Sequence, residues 1–243
     1  MKNLIALVLV FGLYACGSGG GGGGSGGSSA PAPTVTTTTA TATNTDLSVE
    51  ANTKTLLKFE NNLNDATARH TYTPSGTANS ALAKVGTGAR TFSAAAKDYI
   101  DTAIDSDFYF QNYDFEIQFW LKTTQVSAAY VFGTYLPACT SASNTVSFTI
   151  NNGGAGKGQF IINSTGTNKQ IVSTATINDG QWHHIKITNV SGTVSMYVDD
   201  AFQGAQTTGA VPLPNARFAI GRPGECDANY YDGALDEFRI NLN

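Results

Sequence analysis

Gly180-Gln181-Trp182-His183-His184-Ile185-Lys186-Ile187, Val194-Ser195-Met196-Tyr197-Val198-Asp199, Phe218-Ala219-Ile220-Gly221-Arg222 and Asp236-Glu237-Phe238-Arg239-Ile240 follow one another in the last third of the chain. Each alternates apolar with polar residues and is bounded by Gly, Asn, Asp or Pro. A period of two places alternate side chains on one face of a strand, so these segments predict successive antiparallel strands with one buried face. Upstream, Asp114 to Thr123 repeats the pattern at greater length. Phe115, Ile117, Phe119 and Leu121 fall on one face and Glu116, Gln118, Trp120 and Lys122 on the other, so the first set is expected between two sheets.

Further strands are expected at Leu56 to Glu60, Ala89 to Phe92, Asp98 to Ile100, Tyr130 to Gly133, Val146 to Ile150, Gln159 to Ile162 and Ile171 to Ser173. Asn151-Asn152-Gly153-Gly154, Ser164-Thr165-Gly166 and Ser191-Gly192 are turn sequences between them. Asp199-Asp200 is expected to require a left-handed backbone at Asp200. About two hundred residues from residue 47 onward suffice for one two-sheet sandwich and not for two.

The order of these motifs resembles the laminin-G-like, concanavalin A-like jelly-roll domains. In that family an Asp-Gly precedes a Trp-His-His strand, a YVD strand follows, and DE(V/F)RI closes the sheet. Leu56-Leu57-Lys58-Phe59-Glu60 is similar to the family's opening LLxFD, and Phe115-Glu116-Ile117-Gln118-Phe119-Trp120-Leu121-Lys122 to its FTIEFWVK. The resemblance covers Leu56 to Ile240 and implies an all-β fold, a two-sheet antiparallel jelly-roll sandwich. It does not fix a function, because such folds host many.

The start of the chain reads differently. Lys2 and the apolar run Leu4 to Leu13 are too short for a permanent membrane span and read as a signal peptide. Leu13-Tyr14-Ala15-Cys16 resembles a bacterial lipobox, which implies lipidation of Cys16. The expected organisation is a leader over 1–15, a disordered tether over 16–46 and the jelly-roll domain over 47–243. The tether is Gly/Ser-rich and then Ala/Pro/Thr-rich, and it buries too little to offset the entropy of ordering. As a flexible coil of some thirty residues it spans about 30 Å. The expected location is a bacterial cell envelope, on a membrane and facing the periplasm or exterior, with a secreted or virion-associated protein as the alternative.

The whole chain carries 14 Lys and Arg against 18 Asp and Glu. No basic cluster exists to displace counterions from phosphates, which argues against nucleic acid as a partner. With Cys16 lipidated, Cys139 and Cys226 remain as an even pair in an exported chain, and a disulfide is favoured over a metal site because no CxxC accompanies them. Closing that loop stabilises by about 4 kcal/mol in the chain-entropy model.

Several residues are candidates for chemistry. The resemblance implies that Asp236 joins oxygens of the opening turn around a structural calcium ion, with Glu60, Asn62 and Asp65 as the side-chain ligands. Parity with Phe238 and Ile240 makes Asp236 point inward, and the alternative to calcium is backbone N–H donors or Arg239. Glucanases of this fold place catalytic carboxylates along one strand face, and Asp114 and Glu116 are the nearest equivalent. The following Gln118 stands where a third acid belongs, so no catalytic residue is expected.

His183 and His184 point to opposite sides of a strand and are expected to be structural, and His70 stands alone in its segment. Ligand binding is expected at one loop end. There Tyr135, Asp227, Asn229, Tyr230, Tyr231 and Asp232 combine aromatic faces for sugar rings with acids and amides for hydroxyls, near Cys139 and Cys226. Tyr130 belongs to the same group, and Trp120 is expected to pack beneath a loop. The reading is a surface-tethered, non-catalytic recognition domain for a glycan or a cell-surface protein. A glycoside hydrolase of the same fold and a structural or virion appendage are the alternatives.

Overall fold

A computed structural model describes residues 46–76, 79–80, 82–110, 114–135, 145–164, 167–208 and 217–243. Two antiparallel sheets face each other. The first contains β1 (Thr53–Leu57), β3 (Asn79–Ser80), β4 (Ala89–Phe92), β6 (Phe115–Lys122), β11 (Trp182–Val190), β12 (Thr193–Val198), β13 (Ala201–Thr207) and β15 (Gly233–Leu242). Its order is β13-β12-β11-β6-β15-β4-β3, with β1 also paired to β15. The second contains β2 (Thr73–Ser75), β5 (Tyr99–Asp101), β7 (Ala129–Gly133), β8 (Thr145–Ile150), β9 (Lys157–Ser164), β10 (Thr167–Thr176) and β14 (Ala219–Ile220). Its order is β10-β9-β8-β7-β14-β5-β2. Among the described residues the one helical element is a 3-10 turn, Ser106–Phe108.

The two-sheet antiparallel architecture expected from the alternations is therefore present. Phe115, Ile117, Phe119 and Leu121 all lie in the core between the sheets. Phe119 of β6 shows how the layers lock. Its ring lies 5.5 Å from Phe238 of its own sheet and 5.8 Å and 5.3 Å from Phe132 and Phe148 of the opposite one. Two of these contacts are edge-on, which suits the quadrupoles of facing rings.

The four segments that open the sequence argument are not four neighbours. β11 and β12 pair through the Ser191-Gly192 turn, with φ of 49° and 78°. The unexpected β13 follows β12 around Asp199-Asp200, both left-handed at 50° and 63°. Left-handed turns of this kind match the twist of a hairpin. The Phe218 to Arg222 segment shortens to β14 and joins the opposite sheet.

β15 carries a second departure. Its register against β6 runs Leu235↔Leu121 and Asp236↔Trp120, then resumes at Arg239↔Gln118 and Ile240↔Ile117. The extra residue is a bulge, and Glu237 there has φ of 50°. A bulge reverses strand parity beyond it. Asp236 consequently shares the outer face with Trp120, while Phe238 and Ile240 face the core. The inward orientation expected from parity is thus corrected.

Candidate functional site

The loop end is assembled from the segment before β5, the end of β7 and the 221–232 connection between β14 and β15. Backbone bonds tie these together: Tyr130 N–H donates to the Asn229 carbonyl at 2.9 Å and Glu225 N–H to the Tyr135 carbonyl at 3.2 Å. Gly224 permits the second contact, because a Cβ there would lie 2.3 Å from the Tyr135 nitrogen. On this frame the Tyr230 hydroxyl donates to Asp227 Oδ1 at 2.7 Å, and Lys97 Nζ donates to both Asp227 oxygens at 3.0 Å. The Tyr230 and Lys97 bonds together hold the Asp227 carboxyl below its usual range. The Arg222 guanidinium sits 3.4 Å over the Tyr99 ring and bonds Asp101 at 3.2 Å. Tyr130 and Tyr135 meet edge-on with their hydroxyls 3.1 Å apart.

Of the six residues expected to bind a ligand, Asp227, Asn229 and Asp232 are exposed and Tyr135 is half-buried. Tyr230 retains 8 % of its surface. Tyr231 is different: it is fully buried, packs on Phe92 at 5.8 Å and donates its hydroxyl toward the Lys122 and Ala234 carbonyls. It is a core residue and presents nothing to a ligand. Gln125, which sequence reasoning missed, fixes this stretch. Its side chain donates to the Tyr230 carbonyl at 3.0 Å and accepts from the Asp232 N–H at 2.8 Å. Beside Asp232 a cleft of about 350 Å³ is lined by Leu82, Phe92, Lys122 and Thr124. Cys226 is buried and disulfide-bonded. Cys139, and with it the expected pairing, lies outside the described residues, as does Cys16.

A second depression, of about 280 Å³, lies on the outer face of the first sheet among Glu50, Gln118, Trp120, His184, Lys186 and Arg239. Here the polar groups serve one another. Arg239 donates to Glu50 at 2.6 Å and Glu116 at 2.9 Å. Trp120 is 2 % exposed, with Lys84 Nζ 4.3 Å above its ring and His184 packed at 4.9 Å. Burial, with Lys186 nearby, lowers the His184 pKa. His183 bonds Asp199 at 2.7 Å and Asp179 at 3.0 Å, and the Asp199 bond leads in raising its pKa.

A family model for the concanavalin A-like lectin/glucanases superfamily, Laminin_G_3, matches residues 94–241. The chain belongs to this family. No curated protein is recognisably similar to it in sequence. Among solved structures, domain 4 of AbnA, a GH43 extracellular arabinanase from Geobacillus stearothermophilus in complex with arabinotriose, is similar with a TM-score of 0.62 and 21 % identity. The match covers 80 % of this chain and 94 % of that one. The binding domain of Paraclostridial Mosquitocidal Protein 1 is similar at a TM-score of 0.61 and 13 % identity, over 79 % of this chain and 49 % of that one. The binding domain of botulinum neurotoxin DC in complex with rat synaptotagmin II is similar at 0.59 and 13 %, over 78 % and 48 %. The chain thus spans about half the length of these two toxin binding domains.

In this concanavalin A-like domain the residues expected around calcium each make hydrogen bonds within the protein. Asp236 Oδ2 accepts from Lys84 and Val85 N–H at 2.8 and 3.0 Å, and Oδ1 from Glu237 N–H at 2.9 Å. Glu60 accepts from the Thr87 N–H and hydroxyl. Asn62 bonds the Glu60 carbonyl and the Asn64 N–H, bracing the turn. Asp65 accepts from Leu56, Thr67 and His70. Among the described residues the ligand atoms of His70, Asp105 and Asp107 lie within 4.8 Å of one another. The bulge turns Asp236 toward the 84–85 backbone.

Burial raises Asp236 to about 6, against the pull of its N–H donors. Glu237 is raised by burial to about 7, with one oxygen bonded by the Leu47 N–H and the other without a partner. Of the pair considered for glycoside hydrolysis, Asp114 accepts from the Ser191 N–H at 2.7 Å. Glu116 accepts from Gln118 at 2.6 Å and is paired with Arg239.

Proposed function

We propose that this chain is a non-catalytic recognition domain that captures a glycan at the loop end around Asp227. A lipid on Cys16 holds it to a bacterial membrane, and residues 16–46 act as the leash that lets the domain reach outward. The observation that carries the reading is the state of Asp227: exposed to solvent, yet fixed by Tyr230 and Lys97. A carboxylate already held in place loses little freedom on accepting a sugar hydroxyl, and that lowers the cost of binding. Tyr99, Tyr130 and Tyr135 add partly open rings of the kind that stack on sugar faces. A Cys139–Cys226 disulfide would order the same loops. An arabinotriose-bound domain of similar fold supports a sugar as the occupant.

A protein ligand is the second reading, favoured by the likeness to a neurotoxin domain in complex with synaptotagmin II. The non-catalytic assignment rests on Glu116 being paired with Arg239 and Asp114 capping the 191 turn.

The test is a glycan array probed with the purified chain, with Asp227→Ala and Tyr135→Ala beside the wild type. Binding that falls by more than about tenfold in both variants, with folding intact, is the expected result, since each loses a contact worth about 1–3 kcal/mol. Silence of the folded wild type on the array overturns the glycan reading in favour of a protein ligand. Release of reducing ends from β-glucans, abolished by Glu116→Gln, would replace it with a hydrolase. For the anchor, Cys16→Ser is expected to move the protein from the membrane fraction to the soluble one.

A further inference from the structure

His70 gives no signal in the sequence, yet its side chain is 3 % exposed and held from both sides. The Asp65 carboxyl faces Nδ1 at 3.1 Å and also accepts the His70 backbone N–H at 3.2 Å. An acceptor at Nδ1 requires the proton there. That leaves Nε2 as the ring nitrogen turned outward. Nε2 is buried, has no hydrogen-bond partner and points between Asp107 Oδ2 at 3.4 Å and Asp105 Oδ2 at 4.0 Å. Phe108 packs against the ring at 4.7 Å and limits its rotation.

The ring nitrogen and two carboxylate oxygens thus converge on one point, where a cation offsets the mutual repulsion of the two acids. Among the described residues the guanidinium in contact is that of Arg69, whose Nε donates to Asp107 Oδ2 at 2.6 Å from a half-exposed position. Asp65, Asp105 and Asp107 against Arg69 leave two negative charges, which one divalent ion neutralises.

We propose that His70 Nε2, Asp105 and Asp107 form a site for a divalent transition metal of the zinc type, with Asp65 in the outer shell. Four ligands at about 2.0–2.1 Å around a tetrahedral ion stand about 3.4 Å apart. The His70–Asp107 spacing already has this value, and Asp105 closes by about half an ångström. Imidazole nitrogen with two carboxylates suits zinc better than calcium, which takes six to eight oxygens. A carboxylate on the other ring nitrogen is the usual way such a ligand is oriented. Water completes the shell. The ion would clip the turn after Asp65 to the 3-10 turn Ser106–Phe108, whose N-cap is Asp105.

The test is zinc titration of the untagged full chain by calorimetry, with cobalt substitution read in the visible spectrum. One zinc per chain is expected, with cobalt bands of a four-coordinate N/O site and a higher Tm on loading. His70→Gln and Asp105→Asn should each weaken zinc by more than about tenfold. Asp105→Asn keeps a capping side chain and so keeps the fold. Arg69→Ala should tighten binding by freeing Asp107. Three results overturn the proposal: no zinc binding at micromolar concentration, affinity unchanged in both ligand variants, or ring 15N shifts showing an imidazolium at His70 with zinc present. Calcium preferred over zinc at this site overturns the metal class.

Discussion

Two surfaces of the molecule use the same vocabulary of acids, aromatics and cations to opposite effect. On the outer face of the first sheet the polar groups are largely spent on one another. Trp120 lies under Lys84, Glu116 and Glu50 share Arg239, and Asp236 is taken by three N–H donors. At the loop end Asp227 is just as firmly held by Tyr230 and Lys97 but remains exposed. A carboxylate that is both fixed and wet has acceptor capacity to offer, whereas a buried one spends it internally. On the proposed function, the sheet face carries stability and the loop end recognition.

The largest expected break in this contrast comes from the sheet face. Trp120→Ala removes a buried indole between Lys84 and His184 and should cost about 3–5 kcal/mol in denaturant unfolding. A loss below about 1 kcal/mol would mean that the face is not structural.

The next effect is a pH dependence. Asp236 and Glu237 hold protons more tightly when folded, at about 6 and 7, than their ordinary values of 3.8 and 4.5. Their contribution to stability is present below about pH 4 and is lost as pH rises through 6 and 7. The sum is on the order of a few kcal/mol, read from urea midpoints between about pH 4.5 and pH 8. Glu237→Gln should remove roughly half of the slope and raise stability at pH 8. Asp65 works in the other sense. Held down at about 2, it stabilises above its ordinary 3.8 and loses that contribution as pH falls toward 2, so stability should peak near pH 4–5. The smallest expected stability effect is at the loop end, where Asp227→Ala should change it by less than about 1 kcal/mol, because its bonds are exposed.

Much of the sheet face was legible in advance. The alternation of Phe115, Ile117, Phe119 and Leu121 set the core side of β6, and Trp120 was expected beneath a loop. The bulge was not legible, because a left-handed Glu237 leaves no mark in residue type, and so Asp236 was read onto the wrong face. β13 was missed because Ala201 to Thr207 lies mostly exposed at a sheet edge and has no apolar alternation. At the loop end, grouping Tyr230 with Tyr231 ignored that neighbours in an extended chain face opposite ways. Tyr231 goes to the core and Tyr230 toward Asp227. His70 was invisible because Asp105 and Asp107 approach it from some thirty-five residues downstream, a spacing that belongs to no metal motif.

The measurement that bears most directly on the central claim follows glycan affinity and folding stability together in Asp227→Ala. The account predicts that binding falls more than about tenfold while the unfolding midpoint barely moves. Wild-type affinity retained in that variant would contradict it, and recognition would then have to be sought away from this end of the sandwich.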